Sequence, residues 1–156
     1  MSAGDRVDEP RATAALREHG PVLGKVCMAL LGDAAAAERA LERVAAEAGS
    51  ARFEVGQDAI VRLMGMARIA CSNQLSKLPI RTSAGLAPEA APGSEAALAR
   101  VALGRLKPTE REAVVLHVVG GLDAAQVAEA CGIDLTAARA RIARGVAQLV
   151  EQEKHR

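Results

Sequence analysis

The sequence predicts an all-α protein built as two small helical modules joined by a Pro/Gly linker. Three observations carry that reading. Half of the 156 residues are apolar, yet only 1% are aromatic, with one Phe and no Trp or Tyr. A core must then be assembled from Leu, Val, Ile, Met and Ala, and Ala and Leu favour helix while β-branched runs are scarce. Apolar residues also recur at helical spacing between Gly, Pro, Asp and Ser punctuation. Finally, three of the six prolines cluster with Gly and Ser in "LPIRTSAGLAPEAAPGS", residues 78–94, which reads as a linker.

Taken in order, residues 1–10 are polar and mixed in charge and are expected to form a disordered tail. The first module spans 11–77. Its first helix, 11–19, is expected to stop at Gly20-Pro21, and Pro21 to open a second that closes at Gly32. Asp33 is a suitable N-cap for "DAAAAERALERVAAEAG", with Gly49 as its stop. There Ala37, Leu41, Val44 and Ala48 form the apolar stripe. "SARFEVGQ" reads as a loop. A long helix follows over 58–77, with Ile60, Leu63, Met64, Ala67, Cys71 and Leu75 inward; its methionines read as core filler.

The second module covers 95–156. It opens with "SEAALARVALGRL". Thr109 and Glu112 have the spacing of a capping box, and Val114, Val115, Val118 and Val119 are expected to face inward. Then comes "GLDAAQVAEACGIDLTAARARIARG". Asp123 caps one helix with Gln126 at N3, and Val127, Ala128 and Cys131 pack. Gly132 supplies a left-handed turn, and Asp134 caps the last helix, which runs to about Glu153. This is the spacing of a helix-turn-helix. On the second helix Leu135, Ala138, Ile142, Val146 and Leu149 make the buried stripe. Thr136, Ala137 and Ala140 lie opposite, flanked by Arg139, Arg141 and Arg144.

Bulk properties narrow the function. Net charge is +1, so any DNA binding must come from a local patch. Cys27, Cys71 and Cys131 are far apart and sit in apolar helical patterns, as buried reduced thiols of a cytoplasmic protein do. No apolar run is long enough to span a bilayer, and the N-terminus has no secretory-signal pattern. His19, His117 and His155 share no metal-ligand spacing with the cysteines, so neither metal nor cofactor is expected. Without a phosphate-binding Gly loop or a nucleophile near a His, no enzyme and no small-molecule substrate is expected.

The stretch "LKPTEREAVVLHVVGGLDAAQVAEACGIDLTAARARIARGVAQL" resembles the C-terminal DNA-binding region of bacterial sigma factors of the extracytoplasmic-function (ECF) type. Leu106, Pro108, Arg111 and Glu112 fall on that family's Leu-x-Pro-x-x-Arg-Glu opening. Gly121, Leu122, Val127, Ala128, Gly132, Ile133, Arg139, Arg141, Ile142 and Arg144 fall on its helix-turn-helix positions. In the first module, "HGPVLGKVCMALLGDAAAAERALERV" is similar to the segment that docks on RNA polymerase. "LMGMARIACSNQLSK" is similar to the helix that melts and reads the promoter.

The resemblance implies transcription regulation and a sigma region 2-like first module. It also implies a region 4-like second module that binds double-stranded promoter DNA through Thr136, Ala137, Arg139, Ala140, Arg141 and Arg144. Glu38, Arg39, Glu42 and Arg43 would meet RNA polymerase core or a sigma-binding regulator. Arg39 and Arg43 stand where the family is usually acidic, and like-charge contacts at a docking surface cost several kcal/mol. The melting helix has Arg62 in place of the usual aromatic, Asn73 for Asp, and Gln74 and Ser76 for basic residues; only Lys77 remains. Phe53, the one aromatic, precedes it. These departures count against ordinary polymerase docking and promoter melting. They keep open a sigma look-alike that acts by protein binding, through anti-sigma sequestration or as an adaptor to another transcription factor. A stand-alone helix-turn-helix regulator is the remaining alternative.

Overall fold

The computed structural model describes residues 3–50, 58–77 and 94–155, with side chains from Ala12 onward. The described residues form helices and turns with no strand, an all-α fold. The first module is α1 (Ala3–Leu31), α2 (Ala34–Ser50) and α3 (Ala59–Lys77). The second is α4 (Glu95–Gly104), α5 (Pro108–Val114), a π-helical turn (Val115–Val119), α6 (Ala124–Cys131) and α7 (Leu135–Lys154).

Helix α1 corrects two expectations. It begins at Ala3, inside the stretch expected to be disordered, and runs unbroken through Gly20-Pro21. A proline inside a helix removes one backbone hydrogen bond and costs about 3 kcal/mol. Against that stand Leu23, Val26, Cys27, Leu30 and Leu31, all buried against α2 and α3. Each is worth about 1.5–3 kcal/mol when fully buried, so packing outweighs the local preference for a break. The chain turns instead at Gly32, at φ 65°. Asp33 then caps α2 by accepting from the amides of Ala35 at 2.9 Å and Ala36 at 3.3 Å.

Small residues bring the three helices of the first module close. Ala36, Ala37, Ala40, Val44 and Ala48 are buried on α2, and Val61, Leu63, Met64, Ala67, Ala70 and Cys71 on α3. Leu41 is half-buried, and Leu75, expected inward, is on the exposed side near the end of α3. Cys27 and Cys71 are free, buried and hydrogen-bonded to each other. The Cys71 thiol is pushed up from its ordinary value because it serves as the donor to Cys27 and because it is buried. The loop expected over "SARFEVGQ", with Phe53, and the linker over 78–93 lie outside the described residues. Among those described, no helix is long and apolar enough to cross a membrane.

The second module departs from expectation at α5. The helix starts with Pro108 at N1 and has Lys107, not Thr109, at its N-cap, so the Thr109–Glu112 capping box does not form. With the helix begun earlier, Glu112 lies in its middle and its carboxylate is used elsewhere. Arg111 closes the end of α4: its Nε donates to the Leu103 carbonyl at 2.9 Å, and Nη2 to those of Gly104 at 3.2 Å and Leu106 at 3.1 Å. A guanidinium at a helix C-terminus satisfies carbonyls that have no partner in the helix and also opposes the negative end of the dipole. Burial lowers the pKa of this group, with Glu112 opposing.

The π-helical turn alters the side-chain phase of the valine run. Val114, Val115 and Leu116 are all buried, while Val118, expected inward, is 64% exposed. In the wider turn the Gly120 amide reaches back to the Val115 carbonyl at 2.9 Å. The His117 Nδ1 donates to the Leu122 carbonyl at 2.7 Å, fixing its tautomer.

The modules meet along a seam where α3 packs on α6 and α1 on the π-helical turn. Gly65 lies under Ala130 so closely that a β-carbon there would stand 3.2 Å from the Ala130 carbonyl oxygen. Gln126 Nε2 donates to Asp58 Oδ2 at 3.1 Å, and Arg68 Nη1 to Glu112 Oε2 at 3.4 Å.

Candidate nucleic-acid interface

Local chemistry dictates the hairpin formed by α6 and α7. Asp123 accepts from the Gln126 amide at 2.8 Å, and Gln126 Oε1 returns to the Asp123 amide at 2.9 Å, completing a reciprocal cap. Gly132 ends α6 in the left-handed conformation, φ 66° and ψ 36°, where a β-carbon is strained. Asp134 then caps α7 through the Ala137 amide at 2.7 Å. Val127, Ala128 and Ala130 are buried; Cys131 and Ile133 are half-buried between the two helices. Burial raises the Cys131 thiol's pKa against the opposing pull of Arg68 and Arg141.

Helix α7 is seated differently from the expected stripe. Its inner side runs through Ala138, Ile142, Gly145 and Leu149. Leu135 and Val146, expected inward, are 39% and 38% exposed. The cause is Gly145. A β-carbon there would collide with Val114 Cγ2 and stand 3.3 Å from the Glu110 carbonyl oxygen, so α5 and α7 cross at this glycine. An uncapped glycine in a helix interior, where it costs about 1 kcal/mol, is the signal in the sequence that marks such a crossing.

The outer side carries the expected DNA-facing residues. Thr136, Arg139 and Arg144 are exposed; Ala137, Ala140 and Arg141 are half-buried. None of the three arginines has an ion pair or side-chain hydrogen bond to a described residue. Charges of this kind along a helix suit phosphates, which position a protein without reading sequence. Alanines between them can touch a thymine methyl but cannot form bidentate bonds to base edges.

The residues expected to meet polymerase or a regulator, Glu38, Arg39, Glu42 and Arg43, are all exposed on α2. Arg39 Nε donates to Gln74 Oε1 at 3.1 Å, and Arg43 Nε to Glu47 Oε1 at 3.0 Å. Among the described residues, no three His, Cys, Asp or Glu converge to hold a metal ion.

Comparison with known proteins agrees with this geometry. Residues 97–149 match the family model described as sigma-70, region 4. No curated protein sequence matches the chain. Among solved structures, the chain is similar to the sigma factor RpoE of Bartonella quintana, determined with the anti-sigma factor NepR. The TM-score is 0.75 and the identity 22%, over 91% of this chain and 96% of that one. It is also similar to CnrH, determined with the cytosolic domain of CnrY, with a TM-score of 0.75 and 18% identity over 97% and 98% of the two chains. Residues 97–149, which hold the helix-turn-helix, thus match sigma-70 region 4, in a chain whose fold as a whole is similar to that of these solved structures.

Proposed function

We propose that this protein is a sigma-factor-like transcription regulator that binds promoter DNA with α7 and acts by binding rather than catalysis. Thr136, Ala137, Arg139, Ala140, Arg141 and Arg144 form the contact surface, with the arginines on phosphates. The observation that carries the reading is that, among the described residues, no carboxylate pairs with any of the three guanidinium groups, while α7 is held by the Asp134 cap at its N-terminus and by the Gly145 crossing at its middle. Three phosphate contacts give a log–log salt slope of about −3. The double variant Arg141→Ala, Arg144→Ala tests this by fluorescence anisotropy on duplex DNA. It is expected to abolish binding while keeping its helical circular dichroism; retention on DNA at wild-type strength refutes the assignment.

For the first module we favour docking onto a protein. RNA polymerase core is the partner that the sigma-like fold supports. A sigma-binding regulator is the second reading, favoured by the exposed Arg39 and Arg43 on the docking helix. The solved relative RpoE was captured with an anti-sigma factor. A pull-down separates them: capture of core polymerase supports the first, and capture of another regulator without polymerase supports the second.

A further inference from the structure

A cleft of about 460 Å³ opens between α2 and α3. Arg39 and Arg43 line it from one helix, one turn apart, and Lys77 lines it from the other. Glu42 is the one carboxylate among its lining residues. Arg39 is steadied by Gln74 Oε1, a neutral acceptor, so its charge is oriented but not compensated. Neither Arg39 nor Lys77 has an ion pair with a described residue. Arg43 shares its charge with Glu47, but that pair is 67% and 40% exposed and therefore weakly held.

Polar groups in the cleft indicate what kind of anion fits. The Ser76 hydroxyl donates to the Asn73 carbonyl at 2.7 Å, which leaves its oxygen lone pairs as acceptors. Glu42 is also an acceptor. A phosphodiester offers acceptors alone and has no donor for Glu42 or the Ser76 oxygen. A peptide offers carboxylates for the cations and amide N–H groups for these acceptors. We infer that the α2–α3 cleft is a docking site for an acidic peptide segment of a partner protein. Two carboxylates about 6 Å apart, the spacing of one helical turn, meet Arg39 and Arg43, and a third meets Lys77. This site rests on the reading that the first module docks onto a protein and is independent of the DNA surface on α7; failure of the peptide to bind while the pull-down still captures a partner overturns this site and leaves that reading intact.

The test uses the full chain and two fluorescein-labelled probes at low salt. One is an alanine-based peptide with glutamates one helical turn apart; the other is a single-stranded oligodeoxynucleotide of matched charge. The peptide is expected to bind saturably and more tightly than the oligonucleotide. Arg39→Glu with Lys77→Glu lowers its affinity at least tenfold, while Arg17→Glu with Arg105→Glu, the same change in net charge placed elsewhere, lowers it less than twofold. Circular dichroism and α7-dependent binding of duplex DNA report that each variant is folded. Absence of peptide binding by the unmodified protein, an equal loss in both double variants, or tighter binding of the oligonucleotide overturns the proposal.

Discussion

Arg68 Nη1 stands 3.4 Å from Glu112 Oε2, joining α3 of the first module to α5 of the second with side chains only 25% and 20% exposed. Among the described residues, Arg68 Nε is buried without a hydrogen-bond partner and Glu112 is the carboxylate that pairs with this guanidinium. Breaking a partly buried pair leaves a desolvated charge behind, and the two single losses should therefore not add. A double-mutant cycle with Arg68→Ala and Glu112→Ala, followed by urea unfolding, is expected to give a coupling of about 1 kcal/mol. Strict additivity would mean that the pair contributes nothing to the seam.

Gly145 gives a prediction with the opposite sign to helix propensity. Alanine normally improves a helix interior by about 1 kcal/mol over glycine. At this position the new methyl group meets Val114, a stiff β-branched side chain, and the Glu110 backbone. Overpacking costs about 1–3 kcal/mol. Gly145→Ala should then lower Tm by a few degrees, whereas Gly49→Ala, which meets no atom within 4 Å, should not lower it. An increase in Tm for Gly145→Ala refutes the close crossing.

Arg111 holds three carbonyls at the end of α4, a helix with no buried residue of its own. Arg111→Ala is expected to cost about 2–3 kcal/mol, because charged hydrogen bonds are lost and buried acceptors are orphaned. Amide exchange should accelerate first in α4. Uniform acceleration across the second module would instead assign Arg111 to the core.

Stability should depend on pH through two thiols. The pKa values of Cys71 and Cys131 are both raised in the folded protein, Cys71 by its hydrogen bond to Cys27 and by burial, Cys131 by burial, while the bond to Cys71 lowers Cys27 and so opposes the Cys71 contribution. A raised folded pKa contributes stability that is complete below the unfolded thiol value, about 8.5, and is lost as pH rises above it. Thermal unfolding is expected to be flat on this account up to about pH 8.5 and to fall beyond it. Cys131→Ala, which removes the raised thiol that no second cysteine opposes, should reduce that slope; an unchanged slope assigns the fall to other groups.

Much of the architecture was legible where local chemistry and packing agree. Asp33, Asp123, Asp134 and Gly132 have short-range roles in capping and turning, and each performs the role its position in the sequence implied. The break expected at Gly20-Pro21 failed because Leu23, Val26 and Cys27 reach partners on helices remote in sequence. Val118 and Val146 were misjudged for the same reason: a π-helical turn and a glycine crossing shift the inward side by a fraction of a turn, which a 3.6-residue period does not foresee. The exposure of Thr136, Arg139 and Arg144 on α7 could be placed from the pattern of arginines and aliphatics. The cleft could not, since Lys77 reaches Arg39 and Arg43 only through the packing of α3 on α2.

The meeting of Gly65 with Ala130 is a contact between two parts of one chain, connected by residues 78–93. Joining two such surfaces in one chain makes their meeting intramolecular, with an effective concentration on the order of millimolar. A rival for either side of the seam, supplied in trans at micromolar concentration, starts about a thousandfold behind. To win, it must grip one module far more tightly than the modules grip each other, or engage both at once.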